Sequence, residues 1–283
     1  MSVATPFYLV NVFAETHFGG NPLAVFPQAD GLDGALMQQI ARQFNLSETV
    51  FVHRPERGEH AARLRIFMPD YELPFAGHPT LGAAFVLHGL WGLGGTYTLE
   101  TLSGAVEIRH QGSAVSLSLR NGVQTASSVL TQAAVADLLG LAADDVAEAP
   151  VWVNTGTWQL LAGLKSFDAV ACCGIADAAR FARETAERGV AQLYAWAEQG
   201  GEVVSRMFFL QNGAVVEDTG TGSAAVNLGG LYFSRHLAPF ACTIRQGDSA
   251  GRPNRLTMSV DADGVITVGG NVVEVGQGRF VLP

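Results

Sequence analysis

Two stretches constrain this chain more than any others: Gly77-His78-Pro79-Thr80-Leu81-Gly82-Ala83-Ala84 and Gly220-Thr221-Gly222-Ser223-Ala224-Ala225-Val226-Asn227. Each is a glycine-rich turn that passes straight into a helix of small residues. Thr80 and Ser223 place a hydroxyl at what reads as the matching position. Each stretch follows a β-branched or aromatic run that ends in acids. The first run is Leu64-Arg65-Ile66-Phe67 with Asp70 and Glu72; the second is Met207-Phe208-Phe209-Leu210, then Val215-Val216-Glu217-Asp218. The first turn of a helix carries unpaired N–H donors and the positive end of its dipole, so two such starts facing each other would make one anion site. The pattern predicts a small-molecule enzyme of two similar halves with its site in the seam.

The bulk numbers agree with that class. A net charge of -9 without any Lys/Arg run argues against a nucleic-acid partner, which needs a basic stripe. At 48% hydrophobic and 15% charged, the chain is well buried and globular. Its 283 residues suggest about two domains of ~150 residues. The boundary is placed between an N-terminal half, 1–120, and a C-terminal half, 121–283, whose last strand could pair back onto the first half. Cys172, Cys173 and Cys242 make an odd number without metal spacing, which suggests a reducing compartment. The N-terminus has neither a basic region nor an A-x-A cleavage site. The longest apolar stretch, 81–93, is interrupted by His88 and glycines and is short of the ~20 residues of a span. A cytoplasmic protein without a membrane partner is expected.

Along the chain, strands are predicted at 7–13 and 23–26, joined by a turn at Phe18-Gly19-Gly20-Asn21-Pro22. Asp33 can cap a helix with the stripe Leu36, Ile40 and Phe44, ending at Asn45. Further strands are predicted at 47–52, 64–68, 97–101, 106–109, 115–119, 151–153 and 159–162. Helical segments are expected within 137–140 and 168–188, with 176–187 the clearer. Four short strands close the chain at 256–260, 265–268, 272–275 and 280–282. Many short strands with one small-residue helix per half predict an α+β fold of two pseudo-symmetric halves. Each half would be a β-barrel-like sheet around a central helix.

Three side chains could do chemistry. Strand alternation would put Glu48 on a face with Leu46, Val50 and Val52, where an apolar setting raises a carboxyl pKa toward the range of a general acid/base. The alternative is an edge-strand glutamate facing water. With Pro79 at the first helical position, His78 would be the N-cap residue, kept neutral by the positive helix end. It could instead be a capping or buried structural histidine. Asp218 could complement the second helix dipole or, if the halves meet, orient His78. Thr80 and Ser223 could cap locally or bind a ligand oxygen. P-loop, dinucleotide and G-x-S-x-G signatures are absent from the sequence, and no cluster has metal-ligand spacing, so no metal is expected.

At these residues the chain resembles the phenazine-biosynthesis PhzF-like family, part of the diaminopimelate epimerase-like superfamily. The motifs are Phe18-Gly19-Gly20-Asn21-Pro22-Leu23-Ala24-Val25, Asn45-Leu46-Ser47-Glu48-Thr49, and Phe67-Met68-Pro69 with Glu72-Leu73-Pro74-Phe75-Ala76-Gly77-His78-Pro79-Thr80. Glu217-Asp218-Thr219-Gly220-Thr221-Gly222-Ser223-Ala224 and Gln246-Gly247…Gly251-Arg252-Pro253 complete the set. The resemblance implies a cofactor-free isomerase, usually a homodimer, acting on a small carboxylated metabolite. Glu48 would move a proton between carbons with His78 and Asp218 assisting. Substrate contacts are expected from Asn21, Ser47, Gly77, Thr80, Gly222 and Ser223. Thr219 stands where the family pattern expects proline, which would loosen the backbone beside Asp218. The cysteine pair of amino-acid epimerases is missing, Ala76 and Thr219-Gly220 standing near its places. An epimerase at a carbon α to a carboxylate, working without thiols, and a catalytically silent small-molecule-binding protein of the same fold are the competing readings.

Overall fold

Strands approach a helix closely only where the helix carries little side chain, and the two glycine- and alanine-rich helices are placed accordingly. The computed structural model describes residues 4–120, 122–189 and 191–283. The chain falls into two units, Met1–Leu119 with Gly269–Pro283, and Arg120–Val268. Gly269–Pro283, placed by sequence in a C-terminal half whose last strand could pair back onto the first, groups with the first unit.

The first unit contains β1 (Ala4–Val12), β2 (Asn21–Phe26), α1 (Gly34–Phe44), β3 (Thr49–His53), β4 (Ala62–Phe67), β5 (Glu72–Leu73), α2 (Gly77–Trp91), β6 (Thr96–Thr101), β7 (Gly104–Gln111) and β8 (Ala114–Leu119). The last strand of the chain, Ile266–Val281, pairs with β1 and β8. Strand β1 pairs antiparallel with β2, β2 parallel with β3, and β3 antiparallel with β4. Strand β4 then pairs parallel with β6, and β6, β7 and β8 form a meander. Eight strands therefore close on themselves, which leaves no open edge. Helix α2 runs inside, against β1, β2, β3, β7 and β8. At Gly82 an added Cβ would lie 2.5 Å from Leu23 Cδ2 and 2.9 Å from Val12 Cγ2, so only glycine lets this helix sit so close to β1 and β2. Helix α1 lies against β3 and β4. It is capped by Asp33, which accepts from the Leu36 N–H at 2.8 Å, and stops at Asn45 in the left-handed conformation.

The second unit repeats the plan. Its elements are β9 (Gln124–Ser127), α3 (Gln132–Leu138), β10 (Val151–Asn154), β11 (Trp158–Gly163), α4 (Phe167–Cys172), α5 (Ala178–Thr185), β12 (Gln192–Gln199), β13 (Glu202–Gln211), β14 (Ala214–Asp218), α6 (Gly222–Ser234), β15 (Phe240–Gln246) and β16 (Asn254–Val260). Strands β9 and β10, and β10 and β11, pair antiparallel; β11 and β12 pair parallel; β12 and β13 pair antiparallel. Strand β13 takes β14 antiparallel and β15 parallel, and β15 pairs with β16. Helix α6 packs on β10, β11, β15 and β16. The run β10 to β15 thus repeats β1 to β6 pair by pair. The fold is the expected α+β arrangement, a barrel-like sheet around a central helix in each half.

Several local expectations are corrected. The three short strands predicted after residue 264 are one strand, because its glycines mark close approach and not turns. A Cβ at Gly269 would lie 2.6 Å from the Val115 carbonyl oxygen, and one at Gly278 would lie 2.8 Å from the Phe7 ring. Strands β12 and β15 and the start of β13 were not anticipated, and α3 begins at Gln132, before the predicted 137–140. Among the described residues no helix is long and apolar enough to cross a membrane.

Because Gly82 is packed against two strands, Gly82→Val should lower stability by about 1–3 kcal/mol, the usual cost of overpacking. A urea-unfolding midpoint measured against the parent protein checks this.

Candidate active site

The two helix starts are the polar ends of otherwise apolar elements. Helix α2 begins at Gly77, its cap residue Ala76 being extended (φ -149, ψ 137) and unable to offer a capping side chain. Helix α6 begins at Gly222, and Thr221 in the cap position makes no capping bond either. Two readings change as a result. His78 is the second helical residue and not the N-cap, and Pro79 follows it inside the first turn, where a missing N–H costs nothing. Matching the helix starts pairs Gly77 with Gly222 and His78 with Ser223, so Thr80 and Ser223 are not equivalent. The Thr80 hydroxyl is buried and donates to the Ala76 carbonyl at 2.8 Å.

In the first unit the structure brings Glu48 and His78 together. Oε2 of Glu48 is 3.5 Å from Nδ1 of His78, with 14% and 7% of the two side chains exposed. Glu48 directly precedes β3. The expected one-face alternation does not hold there, since Thr49, Val50, Phe51 and Val52 are all buried between two covered faces. Burial drives the His78 pKa down to about 3, against the pull of the Pro22 carbonyl toward the protonated ring. The ring is therefore neutral at physiological pH, as anticipated, but burial and not the helix dipole is the main cause. Asn21, one residue before Pro22, is buried at the start of β2, whereas Ser47 is exposed.

In the second unit Asp218 ends β14, and its loop is tightly held. The Thr221 hydroxyl donates to Asp218 Oδ2 at 2.5 Å, and the Gly220 N–H reaches Oδ1 at 3.4 Å. Buried Gln246 spans the turn: its amide donates to the Asp218 carbonyl (2.8 Å) and to the Thr221 hydroxyl (2.9 Å), and its oxygen accepts from the Thr221 N–H (3.2 Å). A Cβ at Gly220 would strike the Asn254 side chain, and one at Gly247 would strike the Thr219 carbonyl. Thr219, in place of the expected proline, therefore sits in a loop fixed by its neighbours. The Gln159 amide donates to the Ser223 hydroxyl at 3.0 Å, Asn227 donates to Gln159 Oε1 at 2.7 Å, and Thr155 donates to Asn227 Oδ1 at 2.7 Å. Sequence reasoning missed Gln159, Gln246 and Asn227 as supports. Their partners are 25 to 72 residues away, and the only available signal was the Gln246-Gly247 motif.

Two of the three thiols are unsuited to proton transfer. Burial pushes Cys173 up to about 11 and Cys242 up to about 12, and Cys172 is exposed.

This fold and these motifs recur in known proteins. The family described as "Phenazine biosynthesis-like protein" matches residues 10–278. An uncharacterized isomerase of Pasteurella multocida is 50% identical, covering 98% of this chain and 94% of that protein. A trans-2,3-dihydro-3-hydroxyanthranilate isomerase of Pseudomonas aeruginosa is 34% identical, covering 98% and 99%. Among solved structures, a "predicted epimerase" of Pseudomonas aeruginosa superposes with a TM-score of 0.82 at 30% identity, covering 99% and 100%. A hydroxyproline epimerase of Agrobacterium vitis, 13% identical, shares the fold with a TM-score of 0.67 over 100% of this chain and 94% of its own.

The neutral, buried His78 has a consequence for stability. Its folded pKa lies below the unfolded value of about 6.5, so between those values only the unfolded chain takes up the proton. Stability from this site is complete above pH 6.5 and is lost as pH falls toward 3. Urea unfolding at pH 7 and pH 4.5 should show a smaller loss for His78→Gln than for the parent.

Proposed function

Because the chain belongs to the phenazine biosynthesis-like protein family, whose members similar to it include named isomerases, we propose that this isomerase shifts a proton on a small carboxylated substrate without a cofactor. The observation that carries the reading is the contact between the Glu48 carboxylate and the neutral ring of His78. Glu48 takes a proton from a carbon; the C–H electron pair spreads into the conjugated carboxylate-bearing system; Glu48 then returns the proton to another carbon. Neutral His78 lies against Glu48 without placing a competing permanent charge beside it.

In this reading N–H groups at the uncapped helix start near Gly77 hold the substrate carboxylate, with Asn21, Ser47 and Thr80 as further contacts, and the uncapped start near Gly222-Ser223 is a second substrate-binding end. Asp218, its loop fixed by Thr221 and Gln246, assists, and the protein works as a homodimer. The substrate in the relative's name, trans-2,3-dihydro-3-hydroxyanthranilate, supports a carboxylate class for this chain. The raised Cys173 and Cys242 thiols weigh against a two-thiol epimerase.

A panel of small unsaturated carboxylates, screened for binding and then for solvent deuterium uptake, tests the proposal. The parent should place deuterium at a carbon that gains a proton, and Glu48→Gln should lose about 10²–10⁴-fold in rate with the fold kept. Label confined to the carbon α to the carboxylate, with inversion, would identify an epimerase. Full exchange in Glu48→Gln would remove Glu48 from the mechanism.

A further inference from the structure

The same three-residue device stands ahead of each central helix. In the first unit the Arg65 guanidinium donates through Nε and a terminal nitrogen to the two oxygens of Glu72, at 2.7 and 2.6 Å. In the second unit Arg206 donates in the same way to Glu217, at 3.1 and 2.7 Å. Each arginine also lies over a phenylalanine two residues on, Arg65 over Phe67 at 5.2 Å and Arg206 over Phe208 at 4.8 Å. The strand register repeats too, since Phe67 faces Glu72 and Phe208 faces Glu217. The first helical residue, Gly77 or Gly222, comes five residues after the glutamate in both cases.

A parallel, two-bond Arg–carboxylate pair fixes orientation as well as distance, and stacking on the ring removes the remaining rotation of the guanidinium. All four charged side chains are only 14–26% exposed, so solvent screens these pairs less than it would at the open surface. What the brackets do not repeat is equally informative. Leu73 and Asp218 stand at equivalent register positions, as do His78 and Ser223. The frame is duplicated while the side chains it carries differ.

We infer that the Arg65–Glu72 and Arg206–Glu217 pairs are positioning brackets, each holding the turn that delivers one unit's site residues: His78 in the first, Asp218 and Ser223 in the second. This assignment rests on the proton-transfer reading for its functional meaning, but its test does not. Hydrogen exchange and NMR are measured on the intact protein carrying Glu72→Gln, Glu217→Gln, Arg65→Lys or Arg206→Lys. Lysine keeps the charge but cannot make two parallel bonds.

Variants of the first bracket should speed amide exchange at least tenfold across 73–80 and shift the His78 ring nitrogen signals, with other strands of the unit unchanged. Variants of the second should do the same across 218–225 and shift the Asp218 carboxyl carbon signal. The exchanged pair Arg65→Glu/Glu72→Arg should recover slow exchange over 73–80. Where a glutamate variant fails to fold, the lysine variant of the same bracket supplies the deciding measurement. Exchange spread evenly through a unit, or unmoved His78 and Asp218 signals, would reduce the pairs to general stabilisers and overturn the inference. If the signals move while Glu48→Gln still exchanges deuterium, the brackets stand and the proton-transfer reading fails.

Discussion

A helix enclosed by a sheet has no solvent side, and most of this chain's organisation follows from that constraint. Helix α2 buries His78 to Ala84, Val86 and Leu87, and α6 buries nearly every residue from Gly222 to Tyr232. Side chains there must be apolar and small enough for strands to pass, as Gly82 does for β1 and β2. Amides within each helix are satisfied along it, so unpaired donors collect at the start. Free backbone donors are therefore concentrated at the helix starts, where His78 and Ser223 stand, while a polar side chain inside the helix, such as Asn227, must be satisfied by neighbouring strands.

The repeat is kept in the backbone and released in the side chains. Strand pairing in the two units matches step by step, down to the glutamate that precedes each helix. The first unit has His78 beside Glu48, and the second has Ser223 held by Gln159, which Asn227 holds in turn. Burial deprives His78 of its charge, while in the second unit a buried amide network holds polar groups by satisfying them. The same frame thus supports a carboxyl–imidazole contact in one unit and a rigid hydrogen-bonding surface in the other.

Local signals were readable in the sequence and long-range ones were not. The Asp33 cap, the stop at Asn45 and the two small-residue helices are written in neighbouring residues, and each stands where the pattern puts it. The match of Thr80 to Ser223 misled because helix entry is decided by backbone geometry at Ala76 and Thr221, which the letters do not encode. Glycines 269 and 278 looked like turns because the strands and rings pressing on them come from 7 and 116, far along the chain. Gln159 gave no local sign of its work for the same reason, and Gln246 showed only as part of its glycine motif. The closeness of Glu48 and His78 followed only from the resemblance, since three strands, β3, β4 and β5, lie between them in the chain.

The proposed chemistry requires His78 to be neutral beside Glu48. A pH titration of the His78 ring nitrogens by NMR, from pH 8 to pH 5, tests that claim most directly. Signals of a single neutral tautomer, unchanged across the range, are the predicted result. A transition centred near pH 6.5, with the ring protonated below it, would contradict it.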